Sequence, residues 1–419
     1  MLQVLSSAWA LLLGMCLLMV GNGMQGTLLG IRGGIEQFST FEMSIVMSCY
    51  FVGFLGGSRM APGMIRRVGH VRVFAALASL ISAVMILYPT FPNVAVWSLG
   101  RVLIGFCFSA VYVTAESWLN NAANNSNRGQ ALSLYMIVQT LGIVIAQALL
   151  LTADPSGFVL FVIPSVLVSI AVTPILLSIS PTPAFDTTKP MSLRELMTFS
   201  PLGCVGMFLL GGVFSAQFGM ASVYGAEAGL SVAQISTFVA TFFIGSVVLQ
   251  YPIGWISDRM DRRALIMITA MIGAAGSILG MMLGHIFPIL LLSAFVVGGM
   301  SNPLYSLLIA HTNDFLERED MAAASGGMIF INGLGAILGP VITGWMMGTA
   351  LGPGGFYLFT AILFVALSVY AAYRSTRRAA VPVDSTASYV PIYASVTSVG
   401  LEYAQEVAAE GVEEEQTAA

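Results

Sequence analysis

The chain has 419 residues, 57% of them hydrophobic and 9% charged, where an ordinary soluble domain carries roughly 25% charged residues. Most of such a chain cannot face water, so lipid is its solvent; at about 20 apolar residues per crossing helix it accommodates about twelve spans and little soluble mass. The net charge of -4 is no sign of a nucleic-acid partner, because Glu402, Glu406, Glu410, Glu413, Glu414 and Glu415 crowd the C-terminal end, a composition that reads as a disordered acidic tail.

Apolar runs fall at about 4–30, 41–61, 72–90, 94–119, 129–152 and 157–179, and again at 201–224, 232–256, 264–284, 287–312, 322–349 and 354–374. Each is long enough to cross the hydrocarbon as a helix. The first run has no basic n-region and no small-residue cleavage site, so it reads as a retained span. With a cytoplasmic N-terminus, the inside connections hold Arg59, Arg66, Arg67, Arg72, Arg128, Lys189, Arg194, Arg259, Arg262, Arg263, Arg318, Arg374, Arg377 and Arg378, and the outside ones only Arg32. Bases accumulate on the cytoplasmic side, so both termini are expected inside, in a multi-pass protein of the cell inner membrane.

The proline-bearing stretch 181–200 is the expected cytoplasmic linker between an N-terminal bundle (1–180) and a C-terminal bundle (201–376), with 377–419 as the tail. The halves resemble each other at an offset of about 192. Gln25 matches Gln217, YFVG at 50–53 matches FFIG at 242–245, and Gly105 and Tyr112 match Gly298 and Tyr305. QTLG at 139–142 matches NGLG at 332–335, and PSGFVLF at 155–161 matches PGGFYLF at 353–359. A duplicated six-helix unit follows, an architecture that places a solute site at the repeat interface. The expected fold is therefore an all-α membrane protein of twelve transmembrane helices in two pseudo-symmetric six-helix bundles.

Polar residues are spaced by threes. Runs 1, 4, 7 and 10 carry Asn22, Gln25, Arg101, Glu116, Gln217, Asn302, His311 and Asn313, whereas runs 3, 6, 9 and 12 hold little beyond Ser and Thr. Intramembrane polar groups are costly and face the bundle interior or a wet cavity, so the first run of each triplet should line a cavity and the third should face lipid. The four cysteines, Cys16, Cys49, Cys107 and Cys204, lie far apart within apolar runs, as packed thiols do. No metal site or cofactor is expected.

The sharpest motif is GWISDRMDRR at 254–263. Gly254 allows close approach of helices, Asp258 can accept hydrogen bonds at a helix N-terminus, and Arg259, Arg262 and Arg263 can pair with it, which makes a latch; plain positive-inside topology is the alternative. The motif resembles the G-x-x-x-D-R-x-G-R-R signature of the major facilitator superfamily, with Asp261 in place of the second Gly. The first-half copy, APGMIRRVGHVRVF, has Arg66 where an acid is expected. RRVGHVRVFA, VTAESWLN and NRGQALSLYM are together similar to the YcaD-like branch. The resemblance implies alternating access by two rocking bundles, no enzymatic activity and a monomeric transport unit. No phosphate-binding loop G-x-x-x-x-G-K-S/T occurs, so ATP is not expected to drive it directly.

Arg101 lies about 10 Å into its helix at 1.5 Å per residue, and a buried guanidinium must find an anion or several acceptors. It reads either as contact to an anionic substrate group or as a bridge to a neighbouring helix. Arg101, Gly105, Phe108 and Tyr112 share one helix face, as do Asn22 and Gln25. With Gln139, Gln217, Tyr224, Asn302, Tyr305 and Asn332 they form an amide-rich, aromatic set of candidate substrate contacts, interhelical bonding being the alternative for each. Glu116 sits some 22 Å along the helix from Arg101 and reads as a gating ion-pair partner or a proton carrier; His311 and Asp314 have the same two readings. The expected function is a secondary active transporter, symporter or antiporter, that moves a small amphipathic organic solute across the lipid bilayer of the inner membrane with proton coupling. Uptake of a vitamin such as a flavin or of a sugar, efflux of drugs or metabolites, and a non-transporting sensor are the alternatives.

Overall fold

A computed structural model describes residues 2–122, 128–177, 191–377, 389–392 and 397–405. Among them the regular structure is helical, without strands. Twelve helices are long and apolar enough to cross a membrane: span 1 (Ala8–Ile35), span 2 (Thr40–Val68), span 3 (His70–Thr90), span 4 (Val94–Asn120), span 5 (Gly129–Leu149) and span 6 (Val159–Leu177), then span 7 (Pro201–Glu227), span 8 (Val232–Ser257), span 9 (Arg262–Leu283), span 10 (Phe287–Asn313), span 11 (Ala323–Met347) and span 12 (Gly354–Ser375). The expected number and order of runs are found.

Local chemistry sets several ends. Ser39 and Glu42 form a reciprocal capping box at the start of span 2, satisfying two backbone donors that the first turn leaves free. Ser200 caps the next turn and Pro201 follows it at the first helical position, where its missing N–H costs nothing. Span 7 is not one α-helix. Its α-helical part ends at Ser215, a π-helical turn runs Ala216–Met220, and α-helix resumes at Ala221. Single π turns mark functional positions in helices, and this one holds Gln217.

By compactness the chain divides into two units, Met1–Thr187 with Phe218–Ala240, and Thr188–Gln217 with Thr241–Ala419. The boundary at Gln217 falls inside the π turn. The second part of span 7 joins the first unit through direct contact with spans 1 and 2: Gly30 of span 1 lies against the Ser222 side chain, which leaves no room for a Cβ, and Thr40 Oγ1 of span 2 donates to Glu227 Oε1 at 2.7 Å.

The repeat is visible within each unit as matching glycine contacts. A Cβ on Gly105 would collide with Tyr50 O, and one on Gly53 with Val102 O, so spans 2 and 4 touch backbone to backbone. In the second unit Gly298 meets Phe242 O and Gly245 meets Phe295 O in the same way. Gly142 against Cys16 O corresponds to Gly335 against Phe208 O. Without a hydrophobic force between helices in lipid, such small-residue contacts let backbones approach and gain dispersion energy. Gly105→Leu and Gly298→Leu should each abolish the monodisperse peak in fluorescence-detected size exclusion, since overpacking costs about 1–3 kcal/mol even where side chains can yield and here the obstacle is backbone. Gly63→Ala, where a Cβ meets nothing within 4 Å, should leave the peak unchanged.

Spans 1, 4, 7 and 10 have 67, 56, 78 and 61% of their central windows buried, as their polarity predicts. The third spans carry exposed apolar stripes, such as Val159, Val162, Val166 and Ile170 on span 6 and Ile362, Val365 and Val369 on span 12. Spans 2, 5 and 8, at 39, 39 and 33%, are nevertheless more exposed than the third spans.

Two expectations at the chain's connections change. Within the expected linker, Leu193–Phe199 is a short helix capped by Ser192, and 181–190 lies outside the described residues. Within the expected disordered tail, 397–405 and 389–392 pack against the second unit, with Ile392, Leu401, Tyr403 and Ala404 buried. The apolar side chains interleaved with the tail's first acids supply the burial that a purely acidic segment lacks.

Candidate functional site

In the first unit, span 1 and span 4 bring four candidates into one hydrogen-bonded chain. Arg101 Nη1 donates to Gln25 Oε1 at 2.7 Å, Gln25 Nε2 to Asn22 Oδ1 at 3.2 Å, Asn22 Nδ2 to Tyr112 Oη at 3.0 Å, and Tyr112 Oη to Met19 Sδ at 3.3 Å. The three-residue spacing that puts Asn22 and Gln25 on one face makes the second of these bonds possible. Arg101 also lies over the Tyr50 ring, 4.6 Å from its centroid, within cation–π range. Tyr112 is flanked by Phe54 and Phe108.

Arg101 is 3% exposed, and among the described residues no carboxylate lies within ion-pair distance of it. Its Nε has no hydrogen-bond partner. A desolvated guanidinium held by one neutral amide and one ring is incompletely neutralised. The arrangement can therefore accept an anionic or strongly accepting group of a ligand.

Glu116 is buried on span 4, and Tyr135 Oη of span 5 donates to its Oε1 at 3.4 Å. Gln139 is buried on span 5. Tyr224, in the first unit, stacks obliquely on Phe238 at 5.5 Å.

In the second unit, Gln217 Oε1 accepts from Ser301 Oγ at 3.2 Å while its Nε2 has no partner. Asn302 Nδ2 donates to Gln250 Oε1 at 3.2 Å, and Gln250 Nε2 to Ser306 Oγ at 3.0 Å. Gln250, Ser301 and Ser306 join the candidates only through these contacts, although Gln250, like Gln25 and Gln217, is a lone amide in an apolar span. Tyr305 packs edge-on against Phe214. Asn332 Nδ2 donates to Met207 O at 2.9 Å, an interhelical bond beside the close contact of Gly211 with the Asn332 backbone.

The 254–263 turn is built differently from expectation. Asp261 is the N-cap of span 9, accepting from Arg263 N at 2.9 Å and from Arg263 Nη2 at 3.0 Å; the replacement of glycine thus supplies a cap. Partial burial pushes the Asp261 pKa up, but these Arg263 hydrogen bonds and the Arg263 charge hold it below the usual carboxylate value. Arg262 is buried and forms its ion pair with Asp314 at the end of span 10, while Asp258, 4.0 Å from Arg262, is 40% exposed. Arg259 folds over the Trp255 ring, 4.2 Å from its centroid, away from the pair. His311 is buried one turn before Asp314, with its ring edge-on to Phe315 at 5.1 Å. The close approach that Gly254 permits is to a ring: a Cβ there would lie 2.6 Å from the Tyr389 side chain.

The family model described as Major Facilitator Superfamily matches residues 11–198 and 202–395. The chain belongs to that superfamily. Curated relatives include the uncharacterized MFS-type transporter YcaD of Salmonella arizonae, 23% identical over 341 residues (80% of this chain, 88% of the relative). YcaD of Escherichia coli O45:K1 is 25% identical over 342 residues, with the same coverage. Among solved structures, the nucleoside transporter NupG superposes with a TM-score of 0.67 at 15% identity, covering 89% of this chain and 99% of NupG. A bacterial homolog of the human lysosomal transporter Spinster gives 0.70 at 14% identity (88% and 95%), and FucP in the outward conformation gives 0.56 at 15% (87% and 98%). The chain is thus a multi-pass membrane transporter of the superfamily and not an enzyme, and the resemblance read from GWISDRMDRR and the YcaD-like fragments is the family found.

Proposed function

We propose that this superfamily member is a secondary active transporter that moves a small amphipathic organic solute across the cell inner membrane by alternating access with proton coupling, both termini being cytoplasmic and the transport unit a monomer. The observation that carries the solute class is Arg101: a buried cation bound to Gln25 and stacked on Tyr50, with an unpartnered Nε, beside amides and aromatic rings suited to a polar–apolar molecule. The solute's acceptor or anionic group meets Arg101, and its apolar part meets Tyr112 and the rings beside it. Within the second unit, taken by itself, Gln217 and Asn302 are the candidate polar contacts, and the π turn at Gln217 gives span 7 a place to bend.

Glu116 is the proton carrier of this reading. A carboxylate buried in a span is retained for function, and its hydrogen bond from Tyr135 gives it a partner in the ionised state. The solute class is tested by a thermal-shift screen of the purified protein against nucleosides, sugars, organic acids, vitamins and cationic drugs, since a ligand of the folded state raises its apparent stability. Organic acids or other acceptor-bearing amphiphiles should stabilise, and a response confined to cationic drugs would overturn the assignment. With the ligand so found, Glu116→Gln in proteoliposomes should keep exchange while losing at least tenfold of the flux driven by an imposed pH gradient. Equal pH-driven flux in the variant would remove Glu116 from the coupling step.

A further inference from the structure

The polar groove of the second unit is occupied by the chain's own C-terminal segment. Ser306 Oγ accepts from Ile392 N at 2.9 Å and donates to Ile392 O at 3.1 Å, so one hydroxyl holds both backbone groups of that residue. Gln250 Nε2 donates to Tyr389 Oη at 2.8 Å, and Asp258 Oδ1 accepts from Tyr389 N at 2.9 Å. The Tyr389 ring lies on the bare face of Gly254, where a Cβ would be 2.6 Å away. Further along, Gln405 accepts from Ser325 Oγ at 3.0 Å and donates to Asn313 Oδ1 at 3.1 Å, with Leu401 and Tyr403 1% and 0% exposed. Spans 8, 10 and 11 all contribute.

Gln250 and Ser306 belong to the same hydrogen-bonded series as Asn302. A cargo that uses this series and the docked segment therefore compete for the same donors and acceptors. We infer that 389–392 and 397–405 act as a tethered, displaceable ligand of the second unit, a self-docked strap that must leave Gln250 and Ser306 before cargo can engage them. The groove accordingly recognises extended polypeptide backbone through Ser306 and Asp258 and an aromatic side chain through Gln250 and Gly254. Tethering raises the segment's effective concentration to about the millimolar range, so the strap closes the groove without tight intrinsic binding, and modest competitors can open it. The competition with cargo rests on the transporter reading above; the docking itself does not.

The test reads docking without any cargo. In a background with the four native cysteines changed to alanine, Ser306→Cys is labelled with a small maleimide in nanodiscs, in the full chain and in a chain ending at Arg377. Labelling should be at least tenfold faster in the shortened chain, and a synthetic peptide of residues 389–405 at millimolar concentration should slow it again. If shortening destabilises the protein, full-length Tyr389→Ala with Ile392→Asp should give the same acceleration. Equal rates in the full chain and in both alterations would overturn the strap. Accelerated labelling with no ligand found in the thermal-shift screen would support the strap and count against the solute reading alone.

Discussion

Arg101→Met should abolish ligand-induced thermal stabilisation while leaving the ligand-free protein as stable as, or more stable than, the parent. The two halves of that expectation have one cause. Without ligand, Arg101 is a buried cation that has lost its hydration and gained only Gln25 and the Tyr50 ring, and replacing an incompletely neutralised buried charge by an apolar side chain of similar length is neutral or stabilising. With ligand, the same guanidinium meets the group that completes it, and truncating one partner of a buried, hydrogen-bonded charge pair costs about 2–5 kcal/mol, roughly thirty- to several-thousandfold in affinity. Arg101→Lys should recover little, because an ammonium cannot both stack on Tyr50 and keep a planar fork for a second acceptor. A variant that melts lower yet still responds to ligand would make Arg101 a bridge between spans 1, 2 and 4 and nothing more.

Twelve spans were legible because lipid demands about twenty apolar residues for each crossing, and the repeat was legible because Gly53, Gly105, Gly142 and their second-half partners sit where backbones touch, positions at which no other residue fits. The Arg101–Gln25–Asn22–Tyr112 chain could be anticipated in part from helical spacing, since 22 and 25 share a face. Gln250 lies within an apolar run, where an isolated amide carries the same signal as Gln217. The break in span 7 leaves no mark in the sequence, because the pattern Ala-Gln-Phe-Gly-Met fits α- and π-helix alike. The docked segment is masked in the sequence because the acids of the tail dominate its composition, while its anchors, Tyr389, Ile392, Leu401 and Tyr403, are few, and Tyr389 bonds side chains more than a hundred residues distant.

The latch is where pairing could least be read from spacing. The motif places Asp258 four residues before Arg262, yet the buried partner of Arg262 is Asp314, at the end of a different span. Asp314→Asn should therefore cost about 3–5 kcal/mol by removing the buried carboxylate of the Arg262 pair and leaving the exposed Asp258 at 4.0 Å, whereas Asp258→Asn, at an exposed carboxylate, should cost under about 1 kcal/mol. Thermal unfolding of both variants orders them directly, and equal losses would return the main role to Asp258. The double variant Arg262→Met with Asp314→Leu then separates a brace from a latch. Removing both charges together removes the stranded cation, so its melting temperature should return to near the parent value in either case, and the non-additivity of the three variants measures the coupling. A pair that only braces spans 9 and 10 would then leave flux intact as well. A pair that must open and close in each cycle would leave the protein stable but lower flux at least tenfold, because an apolar contact has no second, hydrated state to release into.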